Sequence, residues 1–247
     1  MKRISSGALL RMFWRSLFLQ ASWNPRGMQN VGFAYAMGPA LEQLYPDPAE
    51  RAKATARHLE FFNCHPYMAA AILGGAARVE ERVAAGEAEP SDVSQFKTTL
   101  GPPFAALGDG FFWLALRPAS ALVAAVAAPF LGLWSVFVFL GLYNLVHLAA
   151  RLWMFAVGYA RAEGIVESLS HAHYASGTPL LKACAAALAG AVAARAVLVA
   201  AAGPAPLTAV GFGALVVAAF VFLPRLGVTL TVYIALACGL ALGTRFL

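Results

Sequence analysis

The sequence predicts an all-α polytopic membrane protein with amphipathic N-terminal helices, broken or re-entrant helical arms and a C-terminal bundle of transmembrane helices. Of its 247 residues, 60% are hydrophobic and only 12% are charged, whereas roughly 25% are charged in soluble proteins. The mean hydropathy is +0.69. From Leu180 onward, apolar segments follow one another with hardly a charged residue, which argues against a soluble protein with an Ala-rich core.

The net positive charge of the chain fits a membrane protein. The net charge of +6 comes from 18 Lys and Arg that are spread along the sequence, many of them at the ends of apolar segments. Such positions favour the cytoplasmic side of a bilayer, so no nucleic-acid partner is expected. The three cysteines are far apart and indicate neither a disulfide framework nor a thiolate metal site.

An amphipathic helix is predicted within Leu9–Leu19. Apolar residues recur there at every fourth position (Leu10, Trp14, Phe18), and polar residues lie opposite (Arg11, Arg15, Ser16). A helix this short cannot cross ~30 Å of hydrocarbon. Either it lies in the headgroup plane, with arginines toward phosphates and aromatic rings toward acyl chains, or it is an ordinary helix that faces the core.

Two further helices are predicted in the next segment. Asp47 can cap a helix N-terminus, and a proline follows at the first helical position. We expect this helix to run to about Asn63 and, after Pro66, a second helix to run over Tyr67–Ala85. The hydrophilic segment 86–94 is expected to be a solvent loop.

Two breaks are predicted in the apolar segments that follow. Phe104–Leu107 and Phe111–Leu116 are apolar arms on either side of Gly108-Asp109-Gly110, a turn-forming sequence. Pro129 either splits the next apolar segment or only kinks it, and we favour a split. Broken arms are tolerated at membrane depth only where protein or a wet cavity satisfies the freed backbone groups.

The sequence divides into three regions. Residues 1–165 form the part with interfacial helices and broken membrane helices, residues 166–182 are a polar connector, and residues 183–247 are expected to cross the membrane. The spans predicted in this last region are Ala183–Ala202, Leu207–Leu223 and Leu226–Gly243.

Six side chains are candidates for binding a polar ligand. They are Gln20, Trp23, Asn24, Asn63, His65 and Asp109. A tryptophan ring can cover the face of a pyranose while amides and carboxylates bond its hydroxyls, so this set suits a sugar.

Four of these candidates also have a structural interpretation. Trp23 could be an anchor at the membrane interface. Asn63 and His65 could cap backbone groups around a proline, and Asp109 could lie in a tight turn at the interface. Farther along, Asn144 and His147 lie one helical turn apart, and we expect them to bond one helix to another.

Catalytic motifs are absent from the sequence. It contains no P-loop, GxSxG, HExxH or Gly-rich dinucleotide turn. The five histidines form no strong metal-binding pattern. We therefore expect no catalytic residue, no metal and no cofactor.

Four blocks of the sequence resemble the IID component of the mannose/fructose/sorbose-type phosphotransferase system (PTS). The blocks are Leu19–Pro46, Arg57–Glu81, Leu107–Pro118 and Tyr143–Gly164, and the resemblance covers roughly residues 6 to 165. The sequence departs from the family pattern at Gly101–Ala106, where the family usually has GPLAG, and at His147, where an arginine is common.

The resemblance implies a non-catalytic, multi-pass subunit of the bacterial inner (cytoplasmic) membrane that works with a IIC subunit. Together the two would bind a hexose and move it across the bilayer, and cytoplasmic IIB, charged by IIA, would phosphorylate it. The assembly implied is a trimer of IIC–IID pairs, with the six candidate residues in or beside a polar seam shared with IIC. A non-phosphorylating sugar transporter, a scaffold subunit that has lost this coupling, and a membrane enzyme remain alternatives.

Overall fold

The computed structural model describes residues 3–171 and 174–201, which are mostly α-helical and contain no β-strand. The predicted spans Leu207–Leu223 and Leu226–Gly243 lie outside the described residues. The α-helices are α1 (Ser6–Ser16), α2 (Asn30–Leu44), α3 (Pro48–His58), α4 (Ala69–Ala84), α5 (Pro90–Gly108), α6 (Arg117–Leu131), α7 (Trp134–Arg161), α8 (Ile165–His171) and α9 (Tyr174–Ala201).

Helices α5 and α6 are joined by a π-helical stretch, Asp109–Leu116, and so form one continuous helix. The predicted turn at Gly108-Asp109-Gly110 is therefore wrong. Gly108 and Asp109 both have right-handed helical dihedral angles, and the chain widens into a π-helix there instead of reversing. The widened turns keep backbone hydrogen bonds within the segment, which suits an apolar environment.

The split predicted near Pro129 is confirmed. Helix α6 ends at Leu131, Gly132 has a positive φ of 54°, and α7 begins at Trp134. Glycine adopts such a φ without steric cost, so the chain can reverse within two residues. Helices α6 and α7 therefore form a hairpin and pack against each other.

Within residues 3–171 and 174–201, two helical segments are long and apolar enough to cross a membrane. They are Pro90–Leu131, with mean hydropathy 1.7, and Trp134–Arg161, with mean hydropathy 1.5. Only 28% and 17% of their most apolar stretches are buried inside the chain. Most of this surface is therefore left to contact lipid or another subunit.

Close backbone contact holds α4 against α7. A Cβ atom at Gly74 would come within 2.3 Å of the Phe155 carbonyl oxygen, and one at Gly158 within 2.2 Å of the Ala71 oxygen. Only glycine fits at such distances, and small residues of this kind allow membrane helices to approach closely. The pair forms the centre of the core, to which α1, α2 and the first half of α5 are added.

The predicted boundaries of α3 and α5 need correction. Asp47 caps α3 as expected, accepting the backbone N–H of Glu50 at 3.2 Å, but the helix ends at His58 instead of near Asn63. Helix α5 begins at Pro90, inside the segment predicted as a loop. The side chains of Glu89 and Asp92 form a capping box that stabilises this helix start. The predicted connector 166–182 is helical over most of the part that the structure describes.

The apolar stripe of α1 does not face the core. Leu10, Trp14 and Phe18 are all more than half exposed, whereas Ala8 and Met12 are fully buried. The core-facing alternative for the stripe is therefore wrong, because α1 packs on α2 through its small residues and Met12.

A buried carboxylate joins the loop after α2 to α3 and α4. Glu80 accepts hydrogen bonds from Arg57 Nε at 2.6 Å, Arg57 Nη2 at 2.8 Å and the Tyr45 hydroxyl at 2.7 Å, and His58 Nε2 lies 2.9 Å from it. Lys97 Nζ donates to the Arg57 carbonyl oxygen at 2.8 Å. Glu80 and His58 are both fully buried, so these bonds replace all contact with water.

Replacing Glu80 by glutamine should destabilise the chain by about 3 kcal/mol or more, because Arg57 would stay buried without its counter-charge. Unfolding of the purified protein in detergent by a chemical denaturant measures this change. The matched control is Glu50→Gln, which removes an exposed pair with Lys53 at 2.9 Å and should cost less than about 1 kcal/mol. Equal losses in the two variants would contradict the prediction.

Acid should destabilise the chain through the same cluster. Hydrogen bonds from Arg57 and His58 lower the pKa of Glu80 from 4.5 to about 2 despite its burial, and burial lowers the pKa of His58. Because both folded-state pKa values lie below their unfolded values, protons bind the unfolded chain first. The stability should fall as the pH drops below about 6.5 and then below about 4.5.

Measuring the unfolding midpoint between neutral and acid pH tests this dependence. In Glu80→Gln the loss below about pH 4.5 should be smaller than in the parent chain. An identical acid profile in the two proteins would show that Glu80 contributes nothing to it.

Candidate functional site

Reciprocal amide bonds join the start of α2 to the non-helical residues 59–64. Gln29 donates from Nε2 to the Cys64 carbonyl oxygen at 2.7 Å and accepts the Cys64 N–H at 3.0 Å. Asn30 Nδ2 donates to the Leu59 carbonyl oxygen at 2.6 Å, and Gln29 N–H donates to the Phe62 carbonyl oxygen at 2.9 Å. These bonds satisfy the backbone of a non-helical segment that an apolar core would otherwise leave without partners.

Asn24 belongs to this structural network. Its Oδ1 accepts the Gly27 N–H at 2.8 Å, and its Nδ2 donates to Asn30 Oδ1 at 3.0 Å. The bonds close the turn that precedes α2, in which Met28 has a positive φ of 56°. The side chain of Asn24 thus fixes the turn, and both ends of its amide are occupied.

Three other predicted residues lie on the surface. Gln20, Trp23 and Asn63 are exposed. Two surface clefts, one beside α4 and α5 and one between α2 and α3, contain none of the six predicted residues.

His65 lies in the core against the π-helical stretch. A Cβ atom at Gly108 would come within 2.4 Å of His65 Cβ, so only glycine allows this approach. The imidazole stacks on Phe112, with ring centroids 5.2 Å apart, and meets the Trp113 ring edge-on at 4.7 Å. The structure thereby places two predicted segments, those of His65 and Asp109, side by side.

The protonation of His65 follows from its surroundings. Burial, aided by the nearby Arg151 and His147, lowers the pKa of His65 to about 4, so the ring is neutral near pH 7. Its Nδ1 accepts the Tyr67 N–H at 3.3 Å, which places the proton on Nε2. Nε2 is buried and has no partner among the described residues, so an N–H donor is available there.

Asp109 follows directly on the glycine that touches His65. Its side chain is half-buried, and no hydrogen bond or ion pair of its carboxylate occurs within the described part of the chain. A carboxylate in such a position has free acceptor sites.

A polar stripe on α7 completes this cluster. Tyr143, His147 and Arg151 follow one another at intervals of four residues. The His147 ring stacks on Tyr67 at 4.2 Å with an interplanar angle of 8°, and the Tyr143 and Tyr67 hydroxyls are 3.2 Å apart. His147 Nε2 donates to Asn144 Oδ1 of the same helix at 2.9 Å, so the predicted bond between helices is wrong for this pair.

Arg151 connects the cluster to α1. Its guanidinium donates to the Ser16 carbonyl oxygen at the C-terminus of α1, where the helix dipole is negative, and lies 5.9 Å from the centre of the Tyr67 ring. Its side chain is buried, and the described residues supply no carboxylate to pair with it.

Sequence reasoning missed Tyr67, Tyr143 and Arg151. The interval of four between Tyr143, His147 and Arg151 was visible, and a search for polar residues on one helix face would have found it. Tyr67 gave no such signal, because only the folded chain shows that α7 lies across it. No cluster of metal-ligating side chains occurs among the described residues.

Comparisons with known proteins identify the family of this chain. The family profile described as "PTS system mannose/fructose/sorbose family IID component" matches residues 3–242. The mannose-specific EIID component of Escherichia coli K12 is 39% identical over 170 residues, 68% of this chain and 60% of that protein. The fructose permease IID component of Bacillus subtilis 168 is 34% identical over 170 residues, 68% of this chain and 62% of that protein.

A solved structure shares the fold. It is a chain in the cryo-EM structure of the mannose transporter ManYZ in complex with microcin E492, with 35% identity and a TM-score of 0.64. The match covers 78% of this chain and 71% of that chain. This chain spans about three-fifths of the length of the curated relatives that it matches. It belongs to the mannose/fructose/sorbose family of PTS IID components, which are membrane subunits of sugar permeases.

Proposed function

We propose that this chain works with a IIC subunit in the bacterial inner membrane as a multi-pass subunit, and that the pair binds a hexose and moves it across. Its relatives are named for mannose and fructose, which supports this class of substrate. The observation that carries the proposal is the cluster of buried His65, His147 and Arg151 with half-buried Tyr67. Asp109 follows the glycine that contacts His65. A polar cluster in an apolar helical body favours a polar ligand.

His65 and Asp109 are the residues that we propose for sugar contact. A neutral imidazole N–H can donate to a hydroxyl oxygen, and a carboxylate can accept from a neighbouring hydroxyl. The Trp113 ring beside His65 offers an apolar face to the ring of a sugar. A donor and an acceptor on two segments that touch can bind different hydroxyl groups of one sugar.

The remaining candidates take other roles in this proposal. Asn24 has a structural role, because its amide bonds hold the turn that precedes α2. Gln20, Trp23 and Asn63 are exposed, so any sugar contact that they make requires the surface of the IIC subunit to complete the site. The polar seam is then shared between two chains.

Phosphorylation is assigned to the cytoplasmic partners. IIB, charged by IIA, transfers the phosphoryl group to the sugar, and the charge then prevents the product from returning through an apolar path. This chain carries no phosphoryl group in the proposal, which is consistent with the buried, neutral state of His65. The complete permease is a trimer of IIC–IID pairs.

Uptake of labelled mannose, fructose and sorbose by cells that lack their own permeases tests the proposal. Cells that express this chain together with IIC, IIA and IIB should accumulate sugar phosphate, and omission of this chain or of IIC should abolish uptake. Free sugar inside cells without IIA and IIB would favour a non-phosphorylating transporter. Assembly without uptake of any hexose would favour a scaffold.

Replacing Asp109 by alanine should lower uptake at least about tenfold while the complex with IIC still assembles, because a hydrogen bond to a charged group would be lost in the sugar-bound state. Uptake rates and co-purification of IIC measure the two effects separately. Glu42→Ala, an exposed carboxylate on α2, is the matched control and should leave both unchanged. Normal uptake by the Asp109 variant would rule out its proposed role.

A further inference from the structure

Helix α1 carries an apolar stripe that no described residue covers. Leu10, Trp14 and Phe18 are 56%, 59% and 60% exposed. Leu10 and Trp14 lie one turn apart on α1, and Phe18 continues the stripe in the turn that follows the helix. The opposite side of α1, with Ala8 and Met12, is fully buried in the core, so the helix cannot rotate to hide the stripe.

Arginine side chains border one edge of the stripe. Arg11 is exposed, and the described residues include no carboxylate that pairs with it. Arg15, one turn later, donates to the Tyr35 carbonyl oxygen at 3.2 Å and lies 4.7 Å from the centre of the Tyr35 ring. The Tyr35 contacts hold the guanidinium of Arg15 at this edge but leave its charge without a counter-ion.

The same surface continues past the end of α1. Turns with hydrogen bonds between residues three apart follow the helix. The Phe18 N–H donates to the Arg15 carbonyl oxygen at 3.1 Å, and the Trp23 N–H donates to the Gln20 carbonyl oxygen at 3.2 Å. Trp23 at its end is 53% exposed. Tryptophan is enriched where a membrane meets water, because its ring is apolar and its N–H is polar.

We propose that α1 binds anionic phospholipid, with the stripe at the boundary of the acyl chains and the two guanidinium groups on lipid phosphates. The chain belongs to a family of membrane subunits, so a bilayer is adjacent to the fold. Uncompensated positive charge along an apolar edge complements a surface that is apolar below and negative above. A protein partner would instead need carboxylates within reach of both arginines and an apolar groove between them.

This proposal does not depend on sugar transport. It requires only that the folded chain sits in a bilayer with α1 at the surface. A permease without activity could still bind anionic lipid through α1, and an active one could lack this preference. The two proposals can therefore fail separately.

Quenching of Trp14 by brominated lipids tests the proposal. The full chain, alone and bound to IIC, is reconstituted into nanodiscs of mixed phosphatidylcholine and phosphatidylglycerol with bromine on the chains of one lipid or the other. The signal of Trp14 is obtained as the difference from the variant Trp14→Phe. We expect quenching by both lipids, with phosphatidylglycerol the stronger quencher at equal mole fraction.

The variant Arg11→Gln should reduce the preference for phosphatidylglycerol about fivefold, which corresponds to ~1 kcal/mol per basic residue at an anionic surface. Quenching by phosphatidylcholine should persist, because the apolar stripe is unchanged. Lys53→Gln removes one positive charge from an exposed site on α3 and is the matched control, with an unchanged preference expected.

Three results would overturn the proposal. Absence of Trp14 quenching by either lipid would place α1 outside the bilayer surface. Quenching that Arg11→Gln leaves unchanged would indicate only non-specific insertion. Quenching seen in the chain alone but lost on binding IIC would show that the stripe is a protein interface.

Discussion

The reciprocal amide bond between Gln29 and the backbone of Cys64 is the interaction on which the candidate site depends. Residues 59–68 leave helical geometry, and the backbone of the buried ones, such as Phe62 and Cys64, needs hydrogen-bond partners in the apolar core. Gln29 supplies both a donor and an acceptor from one side chain, with its own N–H bonded to Phe62. The next residue after Cys64 is His65, so this bond also sets where the imidazole lies.

Close packing on glycine then determines what surrounds that imidazole. Gly108 lets the long α5–α6 helix approach His65, and the π-helical stretch that follows turns Phe112 and Trp113 toward it. On the other side, the glycine contacts between α4 and α7 bring Tyr67 against His147. The cluster is thus held by backbone contacts that a single methyl group would disrupt.

The charges of the chain serve different purposes in different places. Glu80 compensates Arg57 inside the fold, whereas Arg151 is compensated by the carbonyl end of α1. Arg11 has neither kind of partner in the described residues and lies at the edge of an apolar stripe. The sequence shows all three as basic residues in an apolar chain, and only their neighbours distinguish an internal ion pair, a helix cap and a surface charge.

The sequence by itself determined the membrane class, the family and the signals that depend on neighbours along the chain. The Asp47 cap and the split near Pro129 belong here, because propensity and local sterics act over a few residues. Tertiary structure decided that Gly108-Asp109-Gly110 continues a helix, since contact with His65 outweighs its preference for a turn. It also decided that Asn24 bonds its own turn, while Tyr67 and Arg151 join His65. Contacts between residues distant in sequence depend on packing, which no local pattern encodes.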